Sequence, residues 1–206
     1  HASRWKPLEP RIVRMGRGVL AAVGFALSLG VGMYTGVLLG AIPSRPFWNT
    51  PMVAQLFLFS ALSSGAAFVL LVAAVGGKFL DPEAMHHERH LLVSIDASLI
   101  VLEIFIIIPF FLHQVLNTWS PAVSINLVLG GPFTLAFWGG VVLLGLLIPL
   151  ALEGYELFPL ILKEGAIKYS RQLGFISAAL VLIGGFLLRY VFVYAGQVSH
   201  VLPIMA

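Results

Sequence analysis

Asp96 and Glu103 stand seven residues apart in the run "DASLIVLEIF", within a stretch otherwise apolar enough for lipid. Seven residues make two turns of an α-helix, so both carboxyl groups fall on almost the same face. Arg189 is a third ionisable group set in an apolar run, "LIGGFLLRYVFVYAGQ". Such a group at the centre of a bilayer costs about 2.5–3.5 kcal/mol on insertion scales, and it is usually functional or paired. Two chemistries fit the set. Glu103 can pair with Arg189 across a bundle and fix packing. Alternatively, Asp96 takes protons at the cytoplasmic side and Glu103 relays them toward a site in the outer half of the membrane. The proton path is the preferred reading, since a positioned carboxyl group can take up and give back a proton.

Tyr34 offers different chemistry. It lies in "VGMYTGVLLGAIPSRPFW", flanked by Gly32 and Gly36 and followed by Thr35. A tyrosine near a membrane face is commonly an aromatic-belt residue. The flanking glycines, however, leave room for a flat ring to approach the backbone. The next apolar run, "LFLFSALSSGAA", adds the hydroxyls of Ser60, Ser63 and Ser64. A phenol in an apolar slot is a good donor to a ligand carbonyl. The expectation is a site shared by Tyr34, Thr35, Ser60 and Ser64.

Histidine and cysteine narrow the chemistry further. The chain has no cysteine, which removes thiolate metal sites and cluster ligation from its own repertoire. His86, His87 and His90 fall between apolar runs, His113 just past one and His200 in the tail. A haem held between membrane helices needs an inward-facing axial histidine, so neither haem nor metal is expected in this chain. His86 and His90 have metal-ligand spacing, but in a charged connection such a pair is ordinarily solvated.

The elements that must carry these groups follow from composition. Of 206 residues, 59% are hydrophobic and only 10% charged, and the mean hydropathy is +0.99. Soluble domains carry about 25% charged residues, so this is a membrane chain. A net charge of +3, concentrated near one membrane face, gives no reason to expect nucleic acid. Five runs approach the roughly 20 apolar residues needed to span a bilayer: about Gly18–Ile42, Met52–Gly76, Leu91–Leu112, Pro132–Leu152 and Gln172–Gly196. They must be helices, because lipid offers no partner to open backbone groups. The expected fold is an all-α integral membrane protein, with residues 1–206 forming a single membrane domain.

Lys and Arg orient the spans. Arg4, Lys6, Arg11, Arg14 and Arg17 precede the first, Lys78 and Arg89 lie between the second and third, and Lys163, Lys168 and Arg171 lie between the fourth and fifth. The opposite side holds only Arg45. Basic connections mark the cytoplasmic side, so residues 1–17 are expected inside a bacterial or archaeal cytoplasmic membrane and the C-terminus outside. Trp48 and Trp119 read as interfacial anchors. Small residues four apart, Gly36/Gly40, Ser60/Ser64 and Ala61/Gly65, suit close helix packing. The opening "HASRWKPLEP" reads as the interior of a loop, and further spans are expected upstream.

Four stretches taken together, "YTGVLLGAIPSRPFWNTP", "LFLFSALSSGAA", "DASLIVLEIF" and "LIGGFLLRYVFVYAGQ", resemble in order the NrfD family, the polysulfide reductase membrane subunits typified by PsrC. The resemblance implies an eight-helix protein of two four-helix bundles, here lacking the first three helices. It implies a subunit without cofactors of its own, exchanging electrons between the quinone pool, menaquinone or ubiquinone, and a four-cluster iron–sulfur subunit. That partner would feed a catalytic subunit, commonly a molybdopterin enzyme. The resemblance places a quinone head in the amino-terminal bundle with Tyr34 as a hydrogen-bond partner. On this reading Asp96 and Glu103 move protons to the pocket, and Arg189 tunes the charge of Glu103 or of the quinone. Two rivals are a proton- or ion-coupled transporter using the same charged groups, which the lack of an internal repeat weakens, and a purely structural membrane anchor.

Overall fold

Proline and glycine decide where each apolar run stops. The computed structural model describes residues 11–76, 82–117, 124–161 and 171–199. Helix α1, Arg11–Gly40, ends where Ala41 donates to the Val37 carbonyl, two residues before Pro43. Helix α2, Met52–Gly76, begins after Thr50-Pro51. Thr50 turns the chain into it, its carbonyl accepting from the Val53 N–H at 3.3 Å. Helix α3, Pro82–Leu116, opens on a proline, whose missing N–H is harmless in a first turn. The histidine-bearing stretch 82–90 is therefore helical rather than an open connection, and α3 starts nine residues before the apolar run that advertised it. A single-turn helix α4, Asn126–Leu129, precedes Gly130-Gly131.

The fourth apolar run winds differently. Leu135–Leu147 is π-helical, with the Ile148 N–H reaching back five residues to the Leu143 carbonyl. It continues directly as helix α5, Ile148–Ile161. Gly139, Gly140 and Gly145 loosen this stretch, and Pro149 lacks the N–H that would close an α-turn onto it. The helix thus runs past Leu152, carrying Glu153 and Glu156 with it. Helix α6, Arg171–Val198, closes the order.

Among the described residues, five helices are long and apolar enough to cross a membrane: Gly18–Gly40, Met52–Val75, Leu91–Leu116, Leu135–Phe158 and Gln172–Val198. The all-α, five-span architecture expected from the apolar runs is the one found, and there is no strand among the described residues. Helices α2, α3, the π–α5 helix and α6 pack as a bundle, and α1 lies along α2. Close crossings use glycine. A Cβ at Gly36 would lie 2.5 Å from the Ala54 Cα, and one at Gly145 would lie 2.5 Å from the Gly184 Cα. Neither crossing could form with a larger residue.

The connection between α1 and α2 folds over one end of the bundle. Trp48 is only 6% exposed; its indole N–H donates to the Phe192 carbonyl at 2.7 Å, over Gly196, which leaves space for the ring. It is a buried strap residue and not an interfacial anchor. Trp119 lies outside the described residues. Arg45 donates to the carbonyls of Gln197 and Ser199, closing the end of α6, and Gln114 donates to the Phe47 carbonyl at 2.9 Å. The Arg45 bonds satisfy carbonyls that the end of α6 leaves open.

Candidate functional site

Asp96 on α3 is fully buried, and its Oδ1 accepts a hydrogen bond of 2.7 Å from the Ser63 hydroxyl on α2. Across the bundle, Glu153 on α5 is 2% exposed, and its Oε1 accepts from Ser177 on α6 at 2.8 Å. The two carboxyl groups adjoin, so all four bundle helices contribute to one polar centre. Buried Glu156 stands one turn beyond Glu153 on the same helix, close enough for its charge to act on it.

Two turns along α3 from Asp96, Glu103 is 3% exposed, beside Ser60 of α2 and facing Arg189 of α6. Arg189 is partly buried; Nη1 donates to the Gly185 carbonyl at 2.9 Å, while its charge faces Glu103. Gly185 creates the room for this. A Cβ there would run into the Ser64 hydroxyl and lie 3.3 Å from Arg189 Nη1 and 3.5 Å from Ser60 Oγ. Serines 60 and 64 therefore line the Glu103–Arg189 level of the bundle. Asp96 Oδ2, Glu153 Oε2 and Ser60 Oγ are buried with no hydrogen-bond partner among the described residues. Buried polar atoms of this kind ordinarily bond to a partner or an ordered water.

The structure divides the residues singled out from sequence into two places. Asp96, Glu103, Arg189, Ser60 and Ser64 come together inside the bundle. Tyr34 and Thr35 do not join them: Tyr34 is 61% exposed and Thr35 is exposed. The reason is helix phase. Gly32 and Gly36 turn toward α2, against Leu58, Ala61 and Ala54, and a residue midway between positions four apart points the other way. The expectation that Tyr34 faces the α2 serines is thereby corrected.

Glu153 and Glu156 escaped the sequence reading because a glutamate at the end of an apolar run looks like its boundary. The signal that was available is the renewed apolar residues beyond them, Leu157 and Phe158. His113 is partly buried near the strap end, its Nε2 3.3 Å from Asn117 Nδ2, away from the carboxyl groups. The side chains of His86, His87 and His90 lie outside the described residues, as does His200. A groove of about 440 Å³ opens between Ala74, Val75, Gln172, Phe175 and Ile176, at the ends of α2 and α6 remote from the strap.

Residues 2–201 match the family described as Polysulphide reductase, NrfD. The chain is 33% identical to the Protein NrfD homolog of Haemophilus influenzae over 85% of its own length and 51% of that protein's. It is 34% identical to the C component of the polysulfide reductase of Wolinella succinogenes, over 86% of this chain and 53% of the relative. A more distant relative is the C component of the selenate reductase of Mesobacillus selenatarsenatis, 28% identical over 65% of this chain and 31% of that protein. The chain spans about half the length of the first relatives it matches. A match over almost the whole chain and five apolar helices among the described residues agree: the chain belongs to the NrfD family of integral membrane proteins.

Proposed function

We propose that this chain is the quinone-linked membrane subunit of a reductase complex, exchanging electrons with an iron–sulfur subunit that serves a molybdopterin-type catalytic subunit. Family membership and the names of its polysulfide and selenate reductase relatives support the reading. The observation that carries it is the buried file of Asp96, Glu153, Glu103 and Arg189 with its serines. A purely structural anchor has no need of three carboxyl groups inside a bundle, at about 2.5–3.5 kcal/mol apiece on insertion scales.

Tyr34 and Thr35 fit a quinone in kind, since they offer hydroxyl donors between the exposed apolar side chains of Val31, Met33, Val37 and Leu38. The groove at the far ends of α2 and α6 is apolar apart from Gln172. The chemistry a bound quinone supplies is exchange of two electrons and two protons with its quinol. The work assigned to this chain is holding the head through the Tyr34 hydroxyl and moving protons through Asp96, Glu153 and Glu103. The basic residues at the amino-terminal end of α1 and around Arg171 support placing that end of the bundle in the cytoplasm.

Tyr34→Phe removes one donor and little volume. Quinol turnover by the complex should fall, or its KM for quinol rise, with the subunits still co-purifying. Unchanged quinol kinetics would withdraw the role given to Tyr34. Purification of the wild-type chain without any iron–sulfur protein would favour a transporter instead.

A further inference from the structure

Each helix of the bundle carries its groups in the same order along the membrane normal. On α3, Asp96, Glu103 and Phe110 follow at two-turn intervals on one face, and all three are buried. On α2, running the other way, Ser63 and Ser60 are followed by buried Phe57. On α6 the order is Ser177, Arg189, Phe192, and on the fourth helix Glu153 gives way to Phe137 toward the strap. The four phenyl rings meet. Phe192 lies 5.1 Å from Phe110, 6.1 Å from Phe57 and 6.5 Å from Phe137 between ring centroids. Phe47 of the strap closes over them, 5.4 Å from Phe192 and 5.7 Å from Phe110.

We propose that these five rings are a proton seal, so that the carboxyl file is a half-path: it exchanges protons only with the end of the bundle opposite the strap. Proton transfer needs a chain of hydrogen-bonding groups or water. The rings offer none in the packed layer, and the donors beyond them, Trp48 Nε1 and Gln114 Nε2, are spent on backbone carbonyls. The file ends at Glu103, Arg189, Ser60 and Ser64. Protons that reach this level are taken up by a bound quinone or return the way they came. This rests on the proposed quinone function for its use, though not for its test. Reduction of a quinone by two electrons from the iron–sulfur partner would draw both protons from the side opposite the strap, and oxidation of quinol would return both there.

The test is passive proton flux through the full complex reconstituted in liposomes, driven by a potassium–valinomycin potential and read with a trapped pH dye. Wild type should conduct no more than protein-free liposomes. Phe192→Ser, or Phe110→Ser where the former does not assemble, should raise the flux severalfold, and adding Glu103→Gln should abolish the rise. That loss separates conduction through the file from a leak around a damaged bundle. Glu103-dependent flux in wild type would overturn the seal, and so would assembled Phe192→Ser and Phe110→Ser complexes that stay tight. Quinol turnover of the same wild-type complex in detergent reports the proposed function separately, so either idea can fail alone.

Discussion

Ser63 and Ser177 each donate to one oxygen of a buried carboxyl group and leave the second oxygen without a partner among the described residues, while the two acids adjoin. Adjoining carboxyl groups act as a pair in which loading one with a proton alters the other. Asp96 and Glu153 are best treated as one station. Asp96→Asn and Glu153→Gln should each slow quinol turnover without loss of the complex. The double variant should be little slower than the worse single, because groups acting as a unit are strongly non-additive. Multiplicative losses in the double variant would show two independent carriers. Half of this station was legible. Asp96 interrupts an apolar run and announces itself. Glu153 hid at the edge of one, where charge normally means the helix has left the membrane, and only the continuation of α5 to Ile161 brings it inside.

Glycine sets which helices can approach, and the sequence shows glycines without showing their neighbours. Gly36 was recognisable as a packing residue, and it does meet Ala54. Gly145 and Gly184 were not paired by any pattern, since both lie in helices apolar all round and no stripe marks the contacting face. Their crossing joins the π-helical stretch to α6, where backbones touch and a Cβ at Gly184 would overlap the Gly145 Cα. Gly184→Ala should therefore destabilise the bundle by about 1–3 kcal/mol, the usual cost of overpacking. It should show as a lower melting temperature or less assembled complex. Gly65→Ala and Gly154→Ala meet no atom within 4 Å and serve as controls. Equal behaviour of all three variants would mean that the π–α6 crossing is not as close as described. The π winding itself was not legible either, because its cause is the combined effect of three glycines and Pro149 and not any one residue.

For the whole molecule, the question the sequence left open is how α1 sits on the bundle, since that decides where Tyr34 points. Apolar length and basic flanks predict that α1 crosses the membrane, but its neighbours are set by side-chain shape. Gly32 and Gly36 bring it against α2, and the face that carries Tyr34 is turned outward. This arrangement can be fixed chemically. A Cβ at position 32 would lie 3.5 Å from that of Ala61, within the roughly 3.5–4.5 Å that a disulfide requires. These 206 residues contain no cysteine, so Gly32→Cys with Ala61→Cys would introduce a pair that has no rival among them. Mild oxidation of the full complex should link α1 to α2 in high yield. Quinol turnover should survive the link, because Tyr34 is on the opposite face of α1. Failure to cross-link would mean that α1 is rotated or displaced in the assembled complex, and the separation of Tyr34 from the serines would then have to be redrawn. A cross-link that forms but stops turnover would instead show that α1 must move along α2 during the reaction.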